Sequence, residues 1–198
     1  MREQSVSDLL AALAAKVPSP GGGTAAALIA AVGAALAEMV VHYSRAKKKL
    51  SQHEVMYHDL LQLLAVNRAA ALVLAEEDAH AYARLSELQK LDEADPRRTA
   101  EWSGAVERAM AVPQRILDLS LDLLNVCEQL IGQSNEMLRS DLAIAAVAAE
   151  AAAASAGWNV RANLPLCEPA LRDSMSNSLN SRLHDAARLR KRIEDACR

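Results

Sequence analysis

The sequence predicts an all-α protein, a single up-and-down helical bundle with long central helices that occupies residues 1–198. Alanine and leucine dominate the composition, and the chain contains only seven glycines. No alternating run of valine, isoleucine and threonine indicates a half-buried strand. A chain of 198 residues is long enough to bury a sizeable core within one domain.

Helical spacing divides the chain into six predicted helices. The first three cover about residues 7–15, 24–44 and 51–90. The fourth runs from residue 95 to a loop at 132–134, the fifth covers 140–157, and the sixth runs from 168 to near the end of the chain. Asp95-Pro96 and Glu168-Pro169 each place a proline where the first turn of a helix tolerates it. The segment 159–167, which holds Pro165, is predicted to be irregular.

Particular residues set four of these boundaries. Thr24 is predicted to cap the second helix, because its side-chain oxygen can accept a hydrogen bond from a free backbone N–H. Ser51-Gln52-His53-Glu54 has the form of a capping box and is predicted to open the third helix. Pro113 is expected to kink the fourth helix or split it in two. Gly157 is expected to end the fifth helix.

The most informative motif is Pro18-Ser19-Pro20-Gly21-Gly22-Gly23-Thr24, which runs into an alanine-rich helix. The prolines prevent helix formation before the turn, and the glycines leave the backbone free of side chains. A bare helix N-terminus of this kind favours an anion. A tight turn that lets another helix pack closely explains the motif equally well. It is neither a Walker loop nor a dinucleotide fingerprint, because no Gly-Lys-Ser/Thr follows and no strand precedes it.

Composition and charge argue against several classes of function. A net charge of −3, two tryptophans, three tyrosines and no phenylalanine give little basis for nucleic-acid binding. The segments 24–41 and 142–158 are long enough to cross a membrane. We reject that interpretation because both are mainly alanine and carry Glu38 or Glu150, which hydrocarbon would penalise.

The cysteines and the first residues bear on the compartment. Cys127, Cys167 and Cys197 are far apart, odd in number and free of any metal-binding spacing. They predict a reduced, cytoplasmic protein without a metal site. Residues 1–4 lead into a short helix and lack the features of a signal peptide.

Two groups of charged residues are candidates for a functional site. Arg68 and Asp78 fall on a stripe of the third helix that is otherwise suited to burial, and a buried carboxylate tends to be functional. A structural salt bridge, or a place at the edge of the stripe, is the commoner explanation. Lys47–Lys49 follow the second helix and provide either an electropositive patch or simple complementation of the helix dipole.

Polar residues also flank the fifth predicted helix. Arg139 and Asp141 lie beside its start, where Ser140 can serve as an N-cap and an acid is favoured in the first turn. Asn159 and Asn163 follow its expected end, where asparagines are common turn residues.

Taken in order, these motifs resemble the cyclodeaminase domain family of formimidoyltransferase-cyclodeaminase, which includes the bacterial methenyltetrahydrofolate cyclohydrolase of the serine cycle. The resemblance covers nearly the whole chain. It is carried by Pro18–Thr24, Glu38–Val40, Lys47–Leu50, Asp78–Tyr82, Ala111–Pro113, Asn135–Leu142 and Asn159–Leu164. The chain departs from the family pattern at His80, where an acidic residue is expected, and at Leu50, where an aromatic residue is expected.

The resemblance implies an all-α homodimer that acts on tetrahydrofolate one-carbon adducts without a metal or cofactor. The cyclodeaminase closes N10 onto the N5-formimino carbon and expels ammonia, whereas the cyclohydrolase adds water to the N5,N10-methenyl bridge. Both reactions need proton transfer and stabilisation of a cationic carbon centre. A non-catalytic folate-binding or scaffolding bundle is the alternative from another class of function.

The resemblance also implies the site residues. The catalytic pair is Asp78 and Asp141, one to move the proton and the other to stabilise the cationic centre. The substrate-binding residues are Gly21, Gly22, Gly23, Thr24, Lys47, Lys48, Lys49, Asn135, Arg139, Ser140, Asn159 and Asn163. The lysines and the glycine-rich helix start suit the anionic glutamate tail of a folate, including that of a polyglutamylated folate. Convergence of Asp78 and Asp141 on one cleft with the lysines would favour the enzyme, whereas carboxylates that point apart into solvent would favour the non-catalytic bundle.

The second and fifth predicted helices favour the homodimer independently of the resemblance. Both carry small-residue faces and are too apolar for the surface of a lone bundle. Burial of an apolar helix face between two copies would remove that surface from water.

Overall fold

The computed structural model describes residues 4–198, which form six α-helices. They are α1 (Val6–Ala14), α2 (Gly22–Arg45), α3 (Glu54–Gln89), α4 (Pro96–Gln129), α5 (Arg139–Asn163) and α6 (Pro169–Cys197). Short 3-10 helices occupy Lys48–His53, Glu136–Leu138 and Leu164–Leu166. No strand occurs among the described residues, so the predicted all-α class is confirmed. Residues 1–3, part of the stretch expected to lack a signal peptide, lie outside the described residues.

Successive long helices run in opposite directions, as the predicted up-and-down arrangement requires. Arg45 at the end of α2 pairs with Glu54 at the start of α3. Arg84 near the end of α3 pairs with Glu101 near the start of α4. At the other side of the bundle, α5 and α6 are also antiparallel and pack against each other along their lengths.

Small side chains let the backbone of α2 lie close to its neighbours. Ala30, Ala34 and Ala37 are fully buried. A Cβ added to Gly33 would lie 3.1 Å from Leu123 of α4 and 3.2 Å from the backbone oxygen of Ala145 in α5. Helix α2 therefore forms the centre of the core, with α3 and α5 on either side of it.

The predicted N-terminal caps of α2 and α3 are wrong, and Ser140 does not cap α5, whose N-cap is Leu138, whereas Asp95 does cap α4. Helix α2 begins at Gly22 and its N-cap is Gly21 in an extended conformation, so Thr24 lies within the first turn and is buried against α3. The predicted capping box does not form, because residues 48–53 already turn as a 3-10 helix and the N-cap of α3 is His53 without a side-chain hydrogen bond.

The predicted end of the fifth helix is also wrong. Helix α5 continues six residues past Gly157 to Asn163. Gly157 lies there in close contact with α6, since a Cβ at this position would lie 2.9 Å from Cδ1 of Leu183 and that side chain would have to shift. Asn159 and Asn163 consequently lie on the last turns of a helix and not in an irregular segment.

Pro113 lies inside α4 without splitting it. A proline lacks the N–H that would bond the carbonyl four residues earlier, which here belongs to Ala109. The side-chain amide of Asn163 donates a 2.8 Å hydrogen bond to that carbonyl oxygen. The end of α5 thereby supplies the donor that Pro113 removes from α4.

Within residues 4–198, two helical segments are long and apolar enough to cross a membrane by length and composition, Gly22–Arg45 and Lys48–Gln89. More than half of the apolar window of the first is buried inside the bundle, as expected for a core helix. The alanine-rich segment 142–158 noted in the sequence is not one of the two.

Candidate active site

A cavity of about 280 Å³ lies where the start of α2 meets α3, α4 and the end of α5. We refer to it as the Asp78 cavity. It is lined by Pro18, Ser19, Gly21, Gly22, Gly23, Asp78, Ala81, Tyr82, Ala109, Val112, Asn159, Ala162 and Asn163. The structure therefore brings together the three glycines, one of the two predicted catalytic carboxylates and both predicted asparagines of α5.

The carboxyl group of Asp78 lies directly against the first turn of α2. A Cβ built on Gly23 would overlap it, with Oδ2 only 2.7 Å away. The Thr24 hydroxyl lies 3.2 Å from Oδ2 of Asp78 and 3.3 Å from the carbonyl oxygen of Ala75, so it can donate to either acceptor. Only glycine at position 23 allows this approach, which explains why the motif must be free of side chains here.

Opposing effects act on the protonation of Asp78. Burial raises the pKa of its carboxyl group above the ordinary value of 3.8, because removing the ionised form from water is unfavourable. Hydrogen bonds from the hydroxyl and the backbone amide of Thr24 act against this rise. The result is a carboxyl group that holds its proton to higher pH than an exposed aspartate, as a proton-transferring group requires.

The two asparagines of α5 serve different purposes. Asn163 is engaged with the Ala109 carbonyl and so has a structural function. The side-chain Nδ2 of Asn159 is buried and has no hydrogen-bond partner among the described residues. Buried polar groups are nearly always paired, so this amide is available to a ligand in the cavity.

The remaining predicted site residues lie at the opposite end of the bundle, which we call the lysine end: Lys47–Lys49 and Asn135–Asp141. The two segments are close together, since the backbone N–H of Asn135 donates to Ser44 at 2.8 Å and Lys49 lies 3.7 Å from Glu136. The side chain of Asn135 is buried and accepts a hydrogen bond from the Met137 amide.

Within one chain, Asp78, Asp141 and the lysines do not converge on one cleft. The two sites lie at opposite ends of α2, whose 24 residues span about 36 Å at 1.5 Å per residue. Arg139 and Ser140 are exposed, and Asp141 is partly buried in the first turn of α5. Sequence spacing predicts the helix on which each of these residues lies, but it does not predict at which end of the bundle the residue lies.

Arg68, on the same predicted stripe as Asp78, forms the structural salt bridge that was the commoner explanation for it. It pairs with Glu38 at 2.9 Å, outside the cavity. Tyr82 was not among the predicted site residues, although its position one helical turn after Asp78 places it on the same face of α3. Its half-exposed ring lines the cavity. No group of three or more potential metal ligands occurs within residues 4–198.

Comparison with known proteins identifies the family. A profile described as Formiminotransferase-cyclodeaminase matches residues 5–181. The chain belongs to this family. Formimidoyltransferase-cyclodeaminase from Mus musculus is 29% identical over 177 residues, which cover 87% of this chain and 33% of that protein. The chain therefore spans about a third of the length of this relative.

Two further family relatives match over nearly their whole length. Methenyltetrahydrofolate cyclohydrolase from Methylorubrum extorquens is 28% identical over 195 residues, covering 96% of this chain and 94% of that protein. The crystal structure of formiminotetrahydrofolate cyclodeaminase from Thermotoga maritima superimposes with a TM-score of 0.85 at 23% identity, covering 99% of this chain and 94% of that one. The chain thus has the fold of that structure over nearly all of its residues.

Proposed function

We propose that this chain is a folate one-carbon enzyme of the cyclodeaminase type, which closes the N5,N10-methenyl bridge of N5-formiminotetrahydrofolate and releases ammonia. The observation that carries the proposal is the Asp78 carboxyl group, which lies partly buried in the wall of a cavity beside a side-chain-free helix start. The names of the family relatives support a folate substrate.

The reaction needs one well-placed acid. Attack of N10 on the formimino carbon, with transfer of the N10 proton to the imino nitrogen, gives a tetrahedral carbon that carries an amino group. This amino group leaves as ammonia once it gains one further proton, and the N5,N10-methenyl cation remains. Asp78 is suited to donate that proton because burial raises its pKa. The Thr24 hydroxyl orients the carboxyl group through Oδ2. The unpaired amide of Asn159 is available to donate to an acceptor on the pterin ring.

A second candidate function is methenyltetrahydrofolate cyclohydrolase. The observation that favours it is the Methylorubrum extorquens relative, which matches along 94% of its own length. In that reaction water adds to the methenyl carbon, and Asp78 in its ionised form would accept a proton from the attacking water.

A spectrophotometric assay separates the two reactions. Methenyltetrahydrofolate should accumulate from formiminotetrahydrofolate if the chain is a cyclodeaminase, and added methenyltetrahydrofolate should disappear faster than in buffer if it is a cyclohydrolase. Asp78→Asn should lower either rate by about a hundredfold. Asp59→Asn is the matched control, because Asp59 is exposed on the same helix and does not line the cavity. Absence of both activities in the unmodified protein would refute the proposal and favour a non-catalytic folate-binding bundle.

The proposed enzyme is a homodimer that associates through the exposed faces of α2 and α5. Val32, Ile144 and Val147 are 57%, 52% and 42% exposed. A continuous apolar face in the middle of a bundle is typical of a protein–protein contact. If the two-fold axis crosses α2 near its middle, the lysine end of one chain lies beside the Asp78 cavity of its partner. That arrangement would unite Asp78 with Asp141 and the lysines.

Light scattering tests the dimer. The unmodified protein should have twice the mass of one chain, and Val32→Lys should shift it towards monomer. Val55→Lys is the control, since Val55 is also exposed, at 76%, but lies at the start of α3. A stable monomer at micromolar concentration would refute the dimer.

The proposed compartment is the cytoplasm. Its support is chemical, because Cys127, Cys167 and Cys197 are all free and free thiols suit a reducing environment. Cell fractionation with an antibody against the chain would test it, and recovery in the secreted fraction would contradict it.

A further inference from the structure

We infer that a groove between α3 and α4, adjoining the Asp78 cavity, binds the carboxylate-bearing tail of the substrate. The inference rests on the proposed folate function, because folates end in one or more glutamates. The groove encloses about 670 Å³. It is lined by Glu77, His80, Ala81, Arg84, Glu101, Gly104, Ala105, Arg108, Ala111, Val112 and Arg115.

The groove and the Asp78 cavity share a wall formed by Ala81 and Val112. Arg84 lies three residues beyond Ala81 on α3. Arg108 and Arg115 lie four residues before and three residues after Val112 on α4. Residues three or four apart share one face of a helix, about one turn or 5.4 Å from each other. A ligand that leaves the Asp78 cavity over this wall therefore meets three guanidinium groups within about one turn.

One of the three arginines that line the groove has no acidic partner among the described residues. Two glutamates, Glu77 and Glu101, also line the groove, and a third, Glu87, lies against Arg84. Arg115 is paired with Glu77, and Arg84 with Glu101 and Glu87. Arg108 is exposed and forms no ion pair with any residue of 4–198. Its planar guanidinium can receive a carboxylate through two parallel hydrogen bonds.

The floor of the groove suits an extended chain. Gly104, Ala105 and Ala111 present almost no side-chain bulk, and a Cβ added to Gly104 would meet nothing within 4 Å. The groove is thus open enough at Gly104 to admit a peptide-like tail.

The helix start and the lysine end are weaker candidates for the tail. The carboxyl group of Asp78 already occupies the first turn of α2, where it accepts a hydrogen bond from Thr24, so a second anion there would be repelled. The lysines lie at the far end of α2 and reach the cavity only through a partner chain. The arginine groove needs no second subunit.

The test compares mono- and triglutamyl forms of the substrate. For the unmodified protein, the triglutamyl form should have the lower KM. Arg108→Gln should raise the KM for the triglutamyl form by roughly fivefold, with a smaller change for the monoglutamyl form and an unchanged kcat. The difference should shrink as salt is added, because exposed charges are screened. Arg188→Gln on α6 is the matched control, since it removes an exposed arginine that lines neither cavity.

Lys48→Gln distinguishes the groove from the lysine end. Loss of the triglutamyl preference in Lys48→Gln but not in Arg108→Gln overturns the inference while leaving the proposed function intact. If the unmodified protein turns over neither folate, calorimetric titration with the same two folates replaces the rate assay. A tail preference that Arg108→Gln abolishes would then support the groove although the enzyme assignment fails, and no binding of either folate would overturn both.

Discussion

Gly23→Ala probes the contact on which the proposed site depends. The new methyl group would overlap the Asp78 carboxyl group, which is attached to a backbone packed within α3 and must therefore rotate away. Rotation removes the hydrogen bond from Thr24 to Oδ2. The substitution thus displaces the proposed acid without changing any ionisable residue.

Two contributions of opposite sign determine the change in stability. Replacing glycine by alanine in a helix is favourable by up to about 1 kcal/mol. Loss of a hydrogen bond to an ionised group costs about 1.5–3 kcal/mol. We expect Gly23→Ala to lower the free energy of unfolding by about 1 kcal/mol. In an Asp78→Ala background the overlap is absent, so the same change should raise the free energy of unfolding.

Urea unfolding of the unmodified protein, Gly23→Ala, Asp78→Ala and the double variant gives the coupling free energy between Gly23 and Asp78, which we expect to be about 2 kcal/mol. In the folate assay, Gly23→Ala should lose about a hundredfold in rate, as Asp78→Asn does, and the two changes combined should cost little more than either alone. An equal effect of Gly23→Ala on stability in both backgrounds, or full activity of the single variant, would refute the contact as described.

Three further predictions follow from the site and its supports. Burial raises the pKa of Asp78 above 3.8, so ionisation of this group disfavours folding. Asp78→Asn should therefore raise the free energy of unfolding at neutral pH, and this gain should vanish as the pH falls below 3.8. A gain in stability that persists in acid would contradict this prediction. Asn163→Ala should lower the free energy of unfolding by about 1–3 kcal/mol by leaving the Ala109 carbonyl unpaired, and unchanged urea unfolding with a raised KM would instead indicate a ligand contact. Mixing inactive Asp78→Asn and Asp141→Asn homodimers should restore about a quarter of the original activity if the site is shared between subunits, because half of the dimers become mixed and each mixed dimer has one intact site of two. No recovery after verified exchange of subunits would refute a shared site.

Much of the fold was predictable because helix periodicity is local. The stripe that contains Asp78 and the Asp95-Pro96 start of α4 were both predicted from neighbouring residues alone, and Asp95 does cap α4. Gly157 shows where this information ends. Glycine is used both to end a helix and to admit a close neighbour, and only the position of Leu183, 26 residues later, decides between the two.

The candidate site was only partly predictable because its decisive contacts are not local. Thr24 and Asp78 are 54 residues apart, and their contact depends on how far along α3 the start of α2 lies. The same holds for Asn163 and the Ala109 carbonyl. Sequence spacing could identify Pro113 as a disruption of α4, but not the donor from α5 that compensates for it.

The glycine-rich start of α2 was predicted to favour an anion, and the anion it meets is the protein's own Asp78. The Thr24 hydroxyl and amide favour the ionised carboxylate, while burial favours the protonated form and has the larger effect. A carboxyl group held between such opposing influences has both protonation states within reach near its raised pKa, as general acid–base catalysis requires. Since this anion position is already occupied, the negatively charged tail of a substrate needs another partner. The unpaired Arg108, across the shared wall of Ala81 and Val112, is positioned to be that partner.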